Sequence, residues 1–180
     1  SWSGSVALSD LTAYTVGGTW TLTKGFKGDK CVKMGTSSAQ GILTTPALTN
    51  LNGDATLTFR AGAWSSTTEQ TELLLEITGG GTLSVPSVTM VKGAFKNFTV
   101  DITGGTATTQ ITFKGKQAAN SRFFIDDVLI NAGGTPVLSS SPNSLSFGSV
   151  NTSSTSSSSV VTVTSSNLTV APTYSVTGTD

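Results

Sequence analysis

The sequence predicts an all-β chain: an antiparallel β-sandwich over residues 1–132, a linker at 133–136 and a shorter β segment over 137–180. Three observations carry this prediction. Apolar residues alternate with Thr, Ser or charged residues in short runs, the period-two pattern of half-buried strands, and no stretch keeps a helical period. Twenty glycines, with Asn and Asp, break the chain between these runs. Only 11% of the 180 residues are charged, while Ser and Thr make up roughly a third, a composition below the globular average in charge and rich in the small polar residues that alternate with apolar ones here.

The elements follow in order. Trp20-Thr21-Leu22-Thr23 alternates, with Trp20 and Leu22 on the face expected to enter the core. Cys31 and Val32 lie in an apolar-leaning strand, which points to a packed thiol. Leu57, Phe59, Ala61 and Ala63 share one face of a strand, and Thr58, Arg60 and Trp64 share the other. Leu73, Leu75 and Ile77 alternate against Glu72, Leu74 and Glu76; Phe98, Val100 and Ile102 alternate against Asn97, Thr99 and Asp101. Ile111 and Phe113 come next, then the densest apolar run, Phe123 to Ile130. Asn52-Gly53 predicts a tight hairpin, because both residues take positive φ at low cost. Gly79-Gly80-Gly81 and Gly104-Gly105 serve similarly, and the triple glycine lacks the Lys-Ser/Thr of a phosphate loop.

A boundary falls at Asn131–Pro136. Beyond it, Pro142 to Gly148 reads as a turn entering a strand, and the Ser/Thr run from Asn151 to Ser159 as a loop before Val160-Val161-Thr162-Val163-Thr164. Three or four strands fall short of the roughly seven strands and 100 residues of an immunoglobulin-like sandwich, so 137–180 is expected to be the N-terminal part of such a domain. Leu145, Phe147, Val161 and Val163 stand at strand spacing and are expected to pack against the first domain or another chain.

Several function classes are excluded. Without histidine there is no Ser–His–Asp triad, Cys–His pair or His-ligated zinc. A single cysteine, Cys31, allows no internal disulfide and no CxxC redox pair. Ten basic residues against ten acidic ones give no electrostatic hold on nucleic acid or on acidic membranes. No apolar run approaches the roughly 18 residues of a transmembrane helix.

Three stretches carry a resemblance. They are Gly28-Asp29-Lys30-Cys31-Val32-Lys33-Met34-Gly35 followed by Gly41 to Leu48; Leu57-Thr58-Phe59-Arg60-Ala61; and Arg122-Phe123-Phe124-Ile125-Asp126-Asp127-Val128-Leu129-Ile130. In this order they resemble the galactose-binding-like jelly rolls of bacterial surface proteins and carbohydrate-binding modules, over about residues 1–132. The tail resembles the opening strands of an immunoglobulin-like (Hydin-like) module of exported bacterial proteins. The resemblance implies a jelly-roll sandwich followed by a truncated immunoglobulin-like module. The expected setting is secreted or at the cell surface, in the outer membrane or periplasm of a Gram-negative bacterium. The expected role is a non-catalytic accessory part that binds glycan or mediates adhesion. A ligand-free spacer and a fragment of a carbohydrate-active hydrolase are the rival expectations.

The candidate site residues follow. Asp126 shares the strand face of Phe124, Val128 and Ile130, so its carboxylate needs hydrogen bonds or a counter-charge. Backbone N–H groups are one solution. The other, implied by the resemblance, is one structural calcium ion, although residues 1–9 lack the acidic partner that pattern uses. Trp64, Arg60, Glu72 and Glu76 lie on the polar faces of two successive strands. An indole ring beside charged groups is suited to stacking on a sugar and bonding its hydroxyls. The same residues are also compatible with a Trp capping the sandwich end beside solvated charges. Glu72 and Glu76 lie about 13 Å apart on one strand, beyond the range of a glycosidase carboxylate pair, which leaves only a cross-strand partner such as Asp101.

Overall fold

Leu57, Phe59, Ala61 and Ala63 are all buried, with Thr58 and Arg60 turned to the opposite side, so the alternation over residues 57–63 does build a strand with one core face. In the computed structural model, which describes residues 4–133, 137–146, 151, 153–155, 158–166 and 173, the described residues form thirteen strands and no helix. The chain divides into two compact units, Ser1–Gly133 and Gly134–Asp180.

The first unit holds β1 (Thr21–Thr23), β2 (Gly25–Lys27), β3 (Val32–Met34), β4 (Ile42–Thr44), β5 (Gly53–Ala63), β6 (Glu72–Thr78), β7 (Thr82–Leu83), β8 (Ser87–Thr89), β9 (Lys96–Gly105), β10 (Gln110–Gly115) and β11 (Phe123–Ala132). They form two antiparallel sheets, ordered β1-β4-β10-β6-β8 and β2-β3-β11-β5-β9-β7. From β3 to β11 every successive strand changes sheet, the wrapping of a jelly-roll sandwich. The glycine turns are therefore corners between sheets and not hairpins. Gly53, at φ 101°, brings the chain from β4 into β5 through a register shift opposite Gly105. Gly79 to Gly81, all at positive φ, carry it from β6 to β7.

Phe59 joins the two sheets. It stacks on Phe98 of its own sheet at 5.2 Å and meets Phe113 of the other edge-on at 5.1 Å. Met34, Leu57, Leu73, Ile111 and Phe123 are fully enclosed around it, each such burial contributing about 1.5–3 kcal/mol. Trp20 packs half-buried against this core, with its indole N–H buried and unpaired.

One break in the alternation positions the outer surface. Asp127 has φ 50°, and the β11–β5 register shifts between Asp126 and Leu129. Before the bulge Phe123 and Ile125 enter the core; after it Val128 and Ile130 pack against the core. The expectation that Asp126 shares a core face with Phe124, Val128 and Ile130 is thus corrected. Phe124 and Asp126 lie on the outer face, and the bulge moves Val128 and Ile130 to the other side.

In the second unit the described residues form one antiparallel pair, β12 (Val137–Ser141) with β13 (Thr162–Ser166). Leu138, Leu145, Val161 and Val163 are exposed, as are the described residues of the Ser/Thr run. Phe147, like Trp2 in the first unit, lies outside the described residues.

Candidate functional site

The outer face of the six-stranded sheet gathers aromatic rings and cations around Trp64. Strand register explains why. Phe26 of β2 faces Lys33 of β3, Lys33 faces Phe124 of β11, and Phe124 faces Gly62 of β5. Gly62 brings no side chain to this row. Trp64, two residues on and just past the strand end, stacks on Phe124, with ring centroids 5.7 Å apart and planes 14° apart. Its backbone N–H donates to the Arg122 carbonyl at 3.1 Å, which fixes the backbone just past the end of β5, between β11 and β9. Trp64 remains half-buried, whereas Phe124 beneath it is fully enclosed.

Two cations border the indole. The Arg122 guanidinium carbon lies 4.7 Å from its centroid, and the Lys33 ammonium 5.4 Å. Lys33 is only 8% exposed; its ammonium also lies 4.4 Å from the Phe26 ring and donates to the Gly4 carbonyl at 2.5 Å. Burial, reinforced by the nearby Arg122 charge, lowers the Lys33 pKa below that of a free lysine. Arg122 is held by Glu69, whose carboxylate accepts from the Arg122 Nε at 3.0 Å, Nη2 at 2.7 Å and backbone N–H at 2.6 Å. The Glu69 side chain is 0% exposed.

The next row along this face carries Arg60. Its Nη2 donates to Oδ2 of Asp126 at 2.7 Å, and its Nε lies 2.7 Å from Oδ2 of Asp127. The Asp127 backbone N–H donates to Oδ1 of Asp126 at 2.9 Å. Asp126 is thus half-buried, one oxygen engaged by a backbone N–H and the other by an arginine. These residues do not fit a calcium ion, because a guanidinium already sits on both carboxylates. Among the described residues no three His, Cys, Asp or Glu side chains converge. Asp10 is engaged locally by Thr12 and Ser9.

Glu72 and Glu76 do not join this site. They lie on β6, in the five-stranded sheet, and share the outer face of Leu74 on the opposite side of the sandwich from Trp64 and Arg60. Their expected grouping with Trp64 is corrected by the jelly-roll wrapping, which sends successive strands β5 and β6 to different sheets. Glu72 pairs with Lys116, and Glu76 with Lys114 at 3.1 Å. The bonds from Lys116 and then Ser87 lower the Glu72 pKa, which keeps it an anion unsuited to proton donation. Asp101 lies on β9 in the other sheet, so it does not complete a carboxylate pair with either glutamate.

Cys31 sits just before β3 with its thiol buried, and burial raises its pKa. It lines a cleft of about 360 Å³ together with Leu11, Tyr14, Trp20, Leu43 and Asp126. The sequence singled out Trp64 and Arg60 but not Lys33, Glu69 or Phe26. A lysine between Val32 and Met34 looks like an ordinary outward residue, and nothing local shows that an indole and a phenyl ring enclose it.

No family model matches the chain, and no curated protein sequence does. Among solved structures, the N-terminal cellulose-binding domain of β-1,4-glucanase C from Cellulomonas fimi is similar at 15% identity, covering 63% of this chain and 88% of that one with a TM-score of 0.40. No described helix is long and apolar enough to cross a membrane.

Proposed function

We propose that the chain is a non-catalytic glycan-binding module of an exported protein and that Trp64 is its contact residue. The observation that carries this reading is the position of the indole. Trp64 lies outside the core, half-buried on the sheet face, and is held in one orientation by Phe124. A ring fixed before binding loses little conformational freedom when it stacks on a sugar. Arg122, Lys33 and, one row away, Arg60 with Asp126 and Asp127 offer polar groups beside it. The non-catalytic reading draws support from the absence of histidine and from the lysine partners of Glu72 and Glu76. The Ser/Thr-rich composition and single cysteine support export.

The test is affinity electrophoresis of the purified chain through gels containing soluble β-glucan, xylan or galactan. At least one polysaccharide should retard the wild type, and Trp64→Ala should run free with an unchanged far-UV circular dichroism spectrum. Equal retardation of both proteins would remove Trp64 from the site. A spacer role is the second reading, and ion pairing favours it: Arg60, Arg122, Lys114 and Lys116 all already hold carboxylates within the domain. Absence of retardation on every glycan would select it.

A further inference from the structure

We propose that Arg60 is the resident counter-cation of the Asp126–Asp127 bulge, standing where a calcium ion is expected by resemblance, so that the closing strand is held without a divalent metal. Register and bulge together build the arrangement. Asp126 is the cross-strand partner of Arg60, and the ladder breaks immediately after this pair. Asp127 then adopts φ 50°, a left-handed conformation that aspartate tolerates better than most residues with a side chain, and its carboxylate comes to lie on the same guanidinium. Two adjacent carboxylates thus meet one cation through two different nitrogens, both at 2.7 Å.

Among the described residues only Arg60 forms an ion pair with Asp126 or Asp127. Opposite Arg60 on β9 stands the neutral Asn97, and the Phe95 ring lies 5.2 Å from the guanidinium carbon. Cys31, just before β3, lines the same cleft as Asp126, and burial, followed by the negative charges of Asp126 and Asp29, disfavours its thiolate. Lys30 lines the same cleft as Asp126 and Asp127, but no ion pair joins it to either of them among the described residues. The hydrogen bond that Arg60 donates to Asp126, with Asp127 close by, holds Arg60 more firmly protonated. A calcium ion takes about 6–8 oxygens and would have to displace the guanidinium to use this carboxylate.

Thermal unfolding of the full chain at low ionic strength tests the proposal, with four proteins: wild type, Arg60→Met, the Asp126→Asn/Asp127→Asn pair, and the triple variant. The wild-type melting temperature should be the same in EDTA and in millimolar calcium chloride. Arg60→Met should melt several degrees lower in the wild-type background and lose little when both carboxylates are already amides. If Arg60→Met does not fold, a folded triple variant carries the same meaning. A calcium-dependent rise in the wild-type melting temperature would overturn the proposal. So would an equal loss from Arg60→Met in both backgrounds, because the guanidinium would then act by packing on Phe95 and not by charge.

Discussion

Trp64 and Phe124 stack 5.7 Å apart on the outside of the six-stranded sheet, with the phenyl ring enclosed and the indole only partly buried. The stack has a structural and a functional consequence, and substitution separates them. A stacked aromatic pair contributes about 0.5–1.5 kcal/mol beyond area burial. Trp64→Phe should keep most of the stack and retain weakened glycan retardation. Trp64→Ala should lose both, with a loss in urea-denaturation stability of about 2–4 kcal/mol once buried area is added. Full retardation by Trp64→Ala would show that the stack is purely structural.

Glu69 is the most deeply placed charge described. Its side chain is 0% exposed and it clamps Arg122, itself 17% exposed. Removing one member of a buried ion pair leaves the other uncompensated, at a cost of about 3–5 kcal/mol. Glu69→Ala should therefore lower stability by about that amount, and Glu69→Gln by less, because an amide oxygen still accepts from the Arg122 backbone N–H. Glu72→Ala, which breaks a solvent-facing pair, should have a much smaller effect. Similar losses from Glu69→Ala and Glu72→Ala in a urea titration would contradict the assigned burial.

Lys33 gives a signed pH dependence. Its folded pKa lies below the ordinary lysine value of 10.5, chiefly through burial. Between the folded pKa and 10.5 the unfolded chain binds more protons at this residue than the folded one, so the Lys33 contribution to stability rises with pH across that window. Below it the ammonium is charged in both states and its desolvation counts fully against folding. Lys33→Met lacks this titration. The stability of Lys33→Met relative to wild type should therefore fall as pH rises from neutrality toward 10.5. A difference that stays constant with pH would mean that Lys33 is solvated in solution.

The alternation over 57–63, 73–77 and 98–102 made the core faces of β5, β6 and β9 legible, because a two-residue period fixes which side chains are inward. It does not fix which sheet a strand joins. Trp64 and Glu72 therefore looked like neighbours in sequence, although β5 and β6 face opposite directions across the sandwich. Asp126 was misplaced for a related reason: the period holds only until a bulge, and neither Asp126 nor Asp127 announces one. Glu69 sits in the run Ser65-Ser66-Thr67-Thr68-Glu69-Gln70, which has the composition of a solvated loop. Its burial depends on Arg122, 53 residues later, and no local pattern encodes that contact.

The corners between sheets provide the last prediction. Gly79 has φ 75°, and a Cβ built there would stand 2.0 Å from the Thr108 carbonyl oxygen. Its own carbonyl accepts from the Thr106 and Thr108 hydroxyls at 2.6 and 2.7 Å, so the corner cannot move aside without losing both bonds. Gly17, at φ 89°, has nothing within 4 Å of the same added atom. Alanine at Gly17 should cost the backbone penalty alone, about 1–2 kcal/mol. Alanine at Gly79 adds a clash with fixed backbone, and the two effects together should cost about 2–5 kcal/mol. Chemical denaturation of the two variants measures the difference. Equal losses would show that the β6–β7 corner yields in solution, and that the Thr106 and Thr108 bonds do not anchor it.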